Sequence, residues 1–435
     1  MASLTGTMHH TEMLSVGVTR RNDRVLARLA AASAAAWIVT LGFIACALWV
    51  SWPGGVIYTD FVSYWTAASL LRQGDGASLY DMETQRAFQE AVRNRIVGTE
   101  AAGSAFKCNP FPNLPPLALP YVALTWLPMP VAHLLWGGVS LGVFVLAMSR
   151  LLRGRRNGRS IALIMLGFGA VTSTLLEGQA YALLLLIFAI GLMALVSDRP
   201  FLGGLLFGLL VVKPQYVVLF GLLFLIKGRW RELSGMAVGG TLVAGLSLVM
   251  VGPEGLVGFV GMLRDVGGFS ASSVYPESMV NWRAILIHLW PGLSDSVGSA
   301  LVLALGAGTV SLALVSWRGP WRPSSAAFLL QIQALLLASI IASPHSHFHG
   351  TVLLLAPLAL LSGRLSELGP SARLWRPLLA VGYAMAAGLW MVAAWRWLMA
   401  PYLLLTLLVT VVQARAVSQH RCRAASQPLA FREAC

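Results

Sequence analysis

Asp60 stands in the run YTDFVSYW, a carboxylate followed at once by apolar and aromatic residues and then by Gly74, Gly76 and Leu79-Tyr80-Asp81. A partly desolvated carboxylate can take a proton from a hydroxyl that approaches within about 3 Å, so Asp60 is a candidate general base. Its alternative reading is a helix-capping aspartate. Asp81 reads as the N-cap of a helix that begins at Met82. Candidate anion ligands lie farther along. Lys213 sits in Lys213-Pro214-Gln215, Arg283 lies near Asn281, and His345, His347 and His349 recur at every second position. Cations and imidazole N–H groups of this kind could hold a phosphate. Lys213 could instead snorkel to a membrane surface, and Arg283 could pair with Glu277. His345 and His349 could share a helical face and bind zinc, but no carboxylate or cysteine lies near to complete the site. Neither a metal nor a cofactor is expected. Glu177 and Gln179, flanking Gly178, are either hydrogen-bonding substrate ligands or helix caps, and Tyr64 and Trp65 offer a hydroxyl and a ring face beside Asp60.

The elements that position these groups are membrane helices. Hydrophobic residues make up 57% of the chain and charged residues 11%, against roughly 25% charged in a soluble protein. The net charge of +14 lies in short clusters between apolar stretches, as topogenic charge does, so nucleic acid is not an expected partner. The four cysteines, Cys46, Cys108, Cys422 and Cys435, lack metal or redox spacing.

About 20 apolar residues cross a bilayer, which places spans near 29–50, 130–150, 160–176, 180–197, 201–212, 215–226, 233–252, 297–317, 326–343, 350–363, 377–394 and 398–414. The organisation is a cytoplasmic basic tail (1–28), a transmembrane body (29–414) whose first outer loop covers 53–129 with interfacial helices, and a second basic tail (415–435). The proline-rich segment 115–128 is too short to span and reads as interfacial or re-entrant. Residues 201–226 could form one helix kinked at Pro214 or two short spans. The two-span reading keeps the twelve Lys and Arg of 227–231, 318–322, 364–376 and 415–432 on the inner side. It also places Asp60, Glu177, Gln179, Lys213, Asn281, Arg283 and the histidines at the outer ends of spans. Twelve residues at 1.5 Å per residue give only ~18 Å, so Lys213 lies below the outer surface, where exposed backbone must line a protein cavity.

With these positions established, the chain resembles glycosyltransferase family 87, the polyprenol-phosphate-mannose-dependent mannosyltransferases and their relatives. The resemblance rests on Asp60-Phe61-x-x-Tyr64 with Tyr80-Asp81 downstream, on PNLPPLALPYVALTWLP, on EGQ before an aliphatic span, on KPQ between two short spans, and on SPHSHFH. It implies an all-α polytopic GT-C fold of about 12 transmembrane helices, with a large first periplasmic loop that carries the catalytic aspartate. It also implies an inverting transfer from a polyprenyl-phosphate sugar to a lipid or glycan acceptor, at the outer face of a bacterial inner membrane. Relatives often carry an aromatic and an acid after Ser-Pro, where this chain has three histidines. Lys213, Arg283, His345 and His347 are then expected at the donor phosphate, and Tyr64, Trp65, Glu177, Gln179 and Asn281 at the substrates. The alternative is a transporter or flippase of a lipid-linked or anionic substrate, since short broken spans also mark transporter sites.

Overall fold

The computed structural model describes residues 54–98, 106–155, 157–371 and 393–426, with isolated positions between 30 and 42. Most of the expected first and eleventh spans and both extreme ends lie outside the described residues. Helices carry the fold. Among the described residues the sole extended pairing is an isolated antiparallel bridge between Met279 and His347.

Two helices precede the proline-rich segment. α1 (Phe61–Gln73) stops at Gly74, whose left-handed backbone (φ +87°) returns its N–H to Leu70 and Leu71. α2 (Met82–Val97) starts at Asp81, whose carboxylate accepts from the Thr84 N–H at 2.9 Å, the cap its sequence suggests. That hydrogen bonding holds the Asp81 carboxyl below its ordinary range. Residues 115–126 form only short 3-10 and α turns, because Pro115, Pro116 and Pro120 cannot supply the N–H groups of a continuous helix.

The membrane body follows. α3 (Met129–Leu151) is apolar and long enough to span. The expected span 160–176 is two helices, α4 (Gly158–Leu166) and α5 (Gly169–Leu176), bent by 55° where Gly167 ends the first and Phe168 turns extended. α6 (Tyr181–Val196) leads to α7 (Pro200–Leu209). Pro214 then forces Lys213 into extended backbone (φ −130°, ψ 82°), so α7 and α8 (Val218–Ile226) are separate helices and not one kinked rod. α9 (Trp230–Gly267) runs well past the expected end at residue 252. Gly252 turns at φ +70° and Pro253 starts a further helical stretch there.

After α9 come α10 (Trp282–Leu289), α11 (Asp295–Val315), α12 (Ala326–Ala342), α13 (Leu355–Leu361) and α14 (Met399–Ser426). α14 continues beyond the expected boundary at 414, since no glycine or proline interrupts residues 402–426. Five of the described helical segments are long and apolar enough to cross a membrane, six if the bent pair counts as one. The helices 181–196, 200–212, 214–226 and 326–342 are apolar but shorter. The protein is thus an all-α membrane protein.

α12 is buried on every side from Ala326 to Ile341 and forms the centre of the bundle. Outer helices show the reverse. Leu134, Leu135 and Val145 on α3 and Val238, Leu242 and Val249 on α9 are exposed, as lipid-facing side chains are. α7 and α9 meet through Gly204-x-x-x-Gly208 and Gly235-x-x-x-Gly239. A Cβ at any of these four would clash with a backbone carbonyl of the facing helix. Small residues at this spacing let two membrane helices pack backbone to backbone. The contact sets where α7 ends, and therefore where Lys213 emerges.

Candidate functional site

Asp60 occupies the first position before α1, yet its side chain caps nothing. It is half-buried, and its two oxygens point to other segments. Oδ1 accepts from Asn109 Nδ2 at 2.9 Å, and Oδ2 accepts from Gln179 Nε2 at 2.5 Å. An ionised carboxylate has about four lone-pair sites, so positions stay open for an incoming hydroxyl. The capping alternative is thereby replaced by an oriented, acceptor-only carboxylate.

Both clamps are themselves fixed. Gln179 Oε1 accepts from the buried Tyr64 hydroxyl at 2.5 Å, so its amide is turned with the N–H toward Asp60. Asn109 is held through its backbone by Gln89, which donates to its carbonyl at 2.8 Å and accepts from its N–H at 3.0 Å. One turn earlier on α2, Gln85 accepts from the Phe111 N–H at 3.0 Å. The Glu177-Gly178-Gln179 turn is pinned by Tyr121, whose hydroxyl donates to the Gly178 carbonyl at 2.9 Å. Gly178 has φ +65°, and a Cβ there would meet Phe61 at 2.6 Å. Only glycine suits both the backbone and the space.

Glu177 lies beside Asp60, its Oε2 accepting weakly from the Asp60 N–H at 3.4 Å. Burial first, and then the Asp60 carboxylate, push the Glu177 carboxyl up from 4.5 to about 7. A group raised in the folded state binds protons that the unfolded chain has already lost. Its contribution to stability is therefore full below 4.5 and lost as pH rises toward 7. Glu177→Gln should accordingly raise the melting temperature at pH 8 and leave it unchanged near pH 4.5. Equal shifts at both values in a thermal-shift titration would show that Glu177 is not the group being strained.

Lys213 is buried at the break between α7 and α8. Its ammonium lies 4.6 Å from the centroid of the Tyr181 ring. Among the described residues it has no hydrogen-bond or ion-pair partner. The histidine turn stands close by. The rings of His345 and His347 are 5.1 Å apart, and that of His349 lies 4.9 Å from Tyr181. Val280 N–H donates to the Ser346 carbonyl at 2.9 Å beside the Met279–His347 bridge, tying the turn to the segment before α10. Burial is the main reason the His347 imidazole is held down to about 4. The Asp60 carboxylate opposes this, while Arg396 and Lys213 add to it. His345 is lowered by the same burial, and its buried Nδ1 has no hydrogen-bond partner among the described residues. Both are neutral imidazoles at neutral pH, able to donate one N–H each. The Asp60 carboxylate, the Lys213 ammonium and the imidazoles thus share one electrostatic neighbourhood.

Three expected site residues are placed differently. Arg283 is fully buried and gives four of its five N–H donors to carbonyls: Nε to Phe269, Nη1 to Val266 and Pro344, and Nη2 to Ala271. It braces the end of α9 against the histidine turn, in place of either a phosphate role or a pairing with Glu277. Asn281 caps α10 through Oδ1 and donates to the Ser343 carbonyl at 2.8 Å, so its side chain is spent on the scaffold. Trp65 turns its ring toward Phe88 of α2, 6.0 Å away, whereas Tyr64 faces Gln179. Conversely, Asn109 and Arg396 join the site without having been singled out. The signal for Asn109 was present in Gln85 and Gln89, an i,i+4 pair of amides on one face of α2. Arg396 reaches the site because Trp397 stacks on His288 at 4.6 Å, and its charge bears on Glu177 and His347.

The fold is that of a membrane-embedded all-α protein. The family model of glycosyltransferase family 87 matches residues 111–344, over half of the 435 residues, and the chain belongs to that family. It is a glycosyltransferase, which decides against the transporter alternative. No curated protein and no solved structure matches the chain. Asp60 lies well before the matched span and Asn109, His345, His347 and His349 just outside it, whereas Gln179, Tyr181 and Lys213 lie within it.

Proposed function

We propose that this glycosyltransferase moves a sugar, mannose first among candidates, from a polyprenyl-phosphate donor to a hydroxyl of a lipid or glycan acceptor. The reaction takes place at the periplasmic face of a bacterial inner membrane. The observation that supports this reading is an Asp60 carboxylate oriented by Asn109 and Gln179, in one neighbourhood with a buried, unpaired ammonium, Lys213. Asp60 accepts the proton of the acceptor hydroxyl as its oxygen bonds to the anomeric carbon. The bond from that carbon to the donor phosphate breaks, and the lipid phosphate leaves with the electron pair. Attack opposite the leaving group inverts the centre, so a β-linked donor yields an α product. The charge that grows on the leaving phosphate meets Lys213 and an N–H of His345 or His347. Preorganised groups of this kind supply the larger electrostatic share of such a step.

A membrane-impermeant short-chain polyprenyl-phosphate mannose, offered to sealed vesicles, tests donor and sidedness together. Right-side-out vesicles containing the protein should consume it and release the prenyl phosphate, and inverted vesicles should not. Consumption only in inverted vesicles would reverse the orientation. No consumption of any prenyl-phosphate sugar in either, with an active protein on another donor, would remove the donor assignment.

A further inference from the structure

We infer that Tyr181 is a positioning residue for the donor phosphate: its ring seats the Lys213 ammonium, at the same helix start whose Gln179 orients Asp60. This rests on the reading of Lys213 as a phosphate ligand and adds how that ligand is held.

Tyr181 opens α6 two residues after Gln179 and is 1% exposed. Its ring cannot swing. The Tyr181 hydroxyl shares a 2.7 Å hydrogen bond with that of Tyr216, whose ring meets it edge-on at 82°. Gly350 packs against this same hydroxyl pair. A Cβ there would collide with the Tyr216 hydroxyl and come within 3.4 Å of that of Tyr181. The face left over carries the Lys213 ammonium 4.6 Å from the ring centroid. A ring quadrupole attracts a cation without neutralising it. Unlike a contacting carboxylate, it leaves the ammonium unneutralised at contact distance for an anion arriving from the other side, with the Asp60 charge acting only from farther off. A buried lysine paired with an acid would have to break that pair before it could bind phosphate. On the Tyr181 ring it need not.

The arrangement also couples two distances. Gln179 fixes the base and Tyr181 fixes the ammonium, and both belong to one turn pinned by Tyr121 and by the indole of Trp136, which donates to the Gln179 carbonyl at 3.3 Å. The separation of acceptor proton and leaving phosphate is set by a single local element, as an in-line displacement requires.

The test is steady-state kinetics with donor and acceptor varied separately. Tyr181→Phe keeps the ring and should leave the donor KM within twofold of the parent. Tyr181→Leu should raise it roughly two- to thirtyfold, the range a cation–π contact spans, with acceptor KM little changed. Adding Tyr181→Leu to Lys213→Ala should change donor KM no further, because the ring acts through the ammonium. Phenylalanines of increasing ring fluorination at position 181 preserve shape and guard against a folding defect in the leucine variant. Donor KM should climb with each fluorine while the melting temperature stays level. A flat series, or a leucine effect that adds fully to Lys213→Ala, would overturn the positioning role while leaving Lys213 as a ligand. A Lys213→Ala variant with unchanged donor KM would overturn both.

Discussion

Asp60→Asn is expected to lower turnover by about 10²–10⁴, the range of general-base contributions, while donor binding and expression stay near the parent's. The amide keeps the shape of the carboxylate and loses its basicity. It also places an N–H where Asp60 now accepts, opposite either Asn109 or Gln179. Gln179 cannot simply flip to meet it, because its Oε1 already takes the Tyr64 hydroxyl. A modest fall in melting temperature should therefore accompany the loss of rate. Single-turnover assays with saturating donor separate the two effects. Turnover within about tenfold of the parent would remove Asp60 as the base, since general-base contributions run at about 10²–10⁴.

Lys213→Ala is expected to raise the apparent donor KM by about ten- to a hundredfold, the value of a charge-assisted contact, with much less change for the acceptor. Lys213→Arg should recover part of the loss, because the charge survives while the planar guanidinium fits the same space poorly. The contrast with a surface lysine is sharp. A snorkelling side chain would be solvent-exposed, whereas Lys213 is 6% exposed and lies over a buried ring. Removing such a group without a ligand role would change stability and neither KM. If donor dependence were unaltered in the alanine variant, the phosphate would have to be sought at the histidine turn or at Arg396. Arg283 would be a poor second choice, since its donors are committed to carbonyls.

The expected site residues that the structure brings into one neighbourhood share one property. Asp60, Gln179 and Lys213 are polar groups at points where apolar helices begin, end or break, and helix breaks follow from local chemistry. Pro214 disrupts its own surroundings whatever the rest of the chain does. Asp81 caps α2 because its side chain reaches an N–H three residues on. The residues that were misplaced share another property. Arg283 and Asn281 look like ligands because a charge and an amide stand in an otherwise apolar protein. The groups that absorb them, the carbonyls of Val266, Phe269 and Ser343, carry no mark in the sequence. Every residue has a carbonyl, and only packing decides which are left unpaired.

The same division holds for the molecule as a whole. Composition and hydrophobic length alone determined an all-α membrane protein, because a backbone in lipid must satisfy its own hydrogen bonds. Proline and glycine determined the break at Lys213 and the turn at Gly178. What the tertiary structure decided is which distant groups meet. Asn109 and Gln179 come to Asp60 from 49 and 119 residues away. They arrive there because the buried amide of Gln89 on α2 holds one of them and the buried indole of Trp136 on α3 holds the backbone of the other. Helix propensity and hydropathy act over a few residues, and neither encodes the direction from which another helix approaches. That direction comes from side-chain volume at the crossings, as at Gly204, Gly208, Gly235 and Gly239, where the absence of four side chains sets where Lys213 emerges.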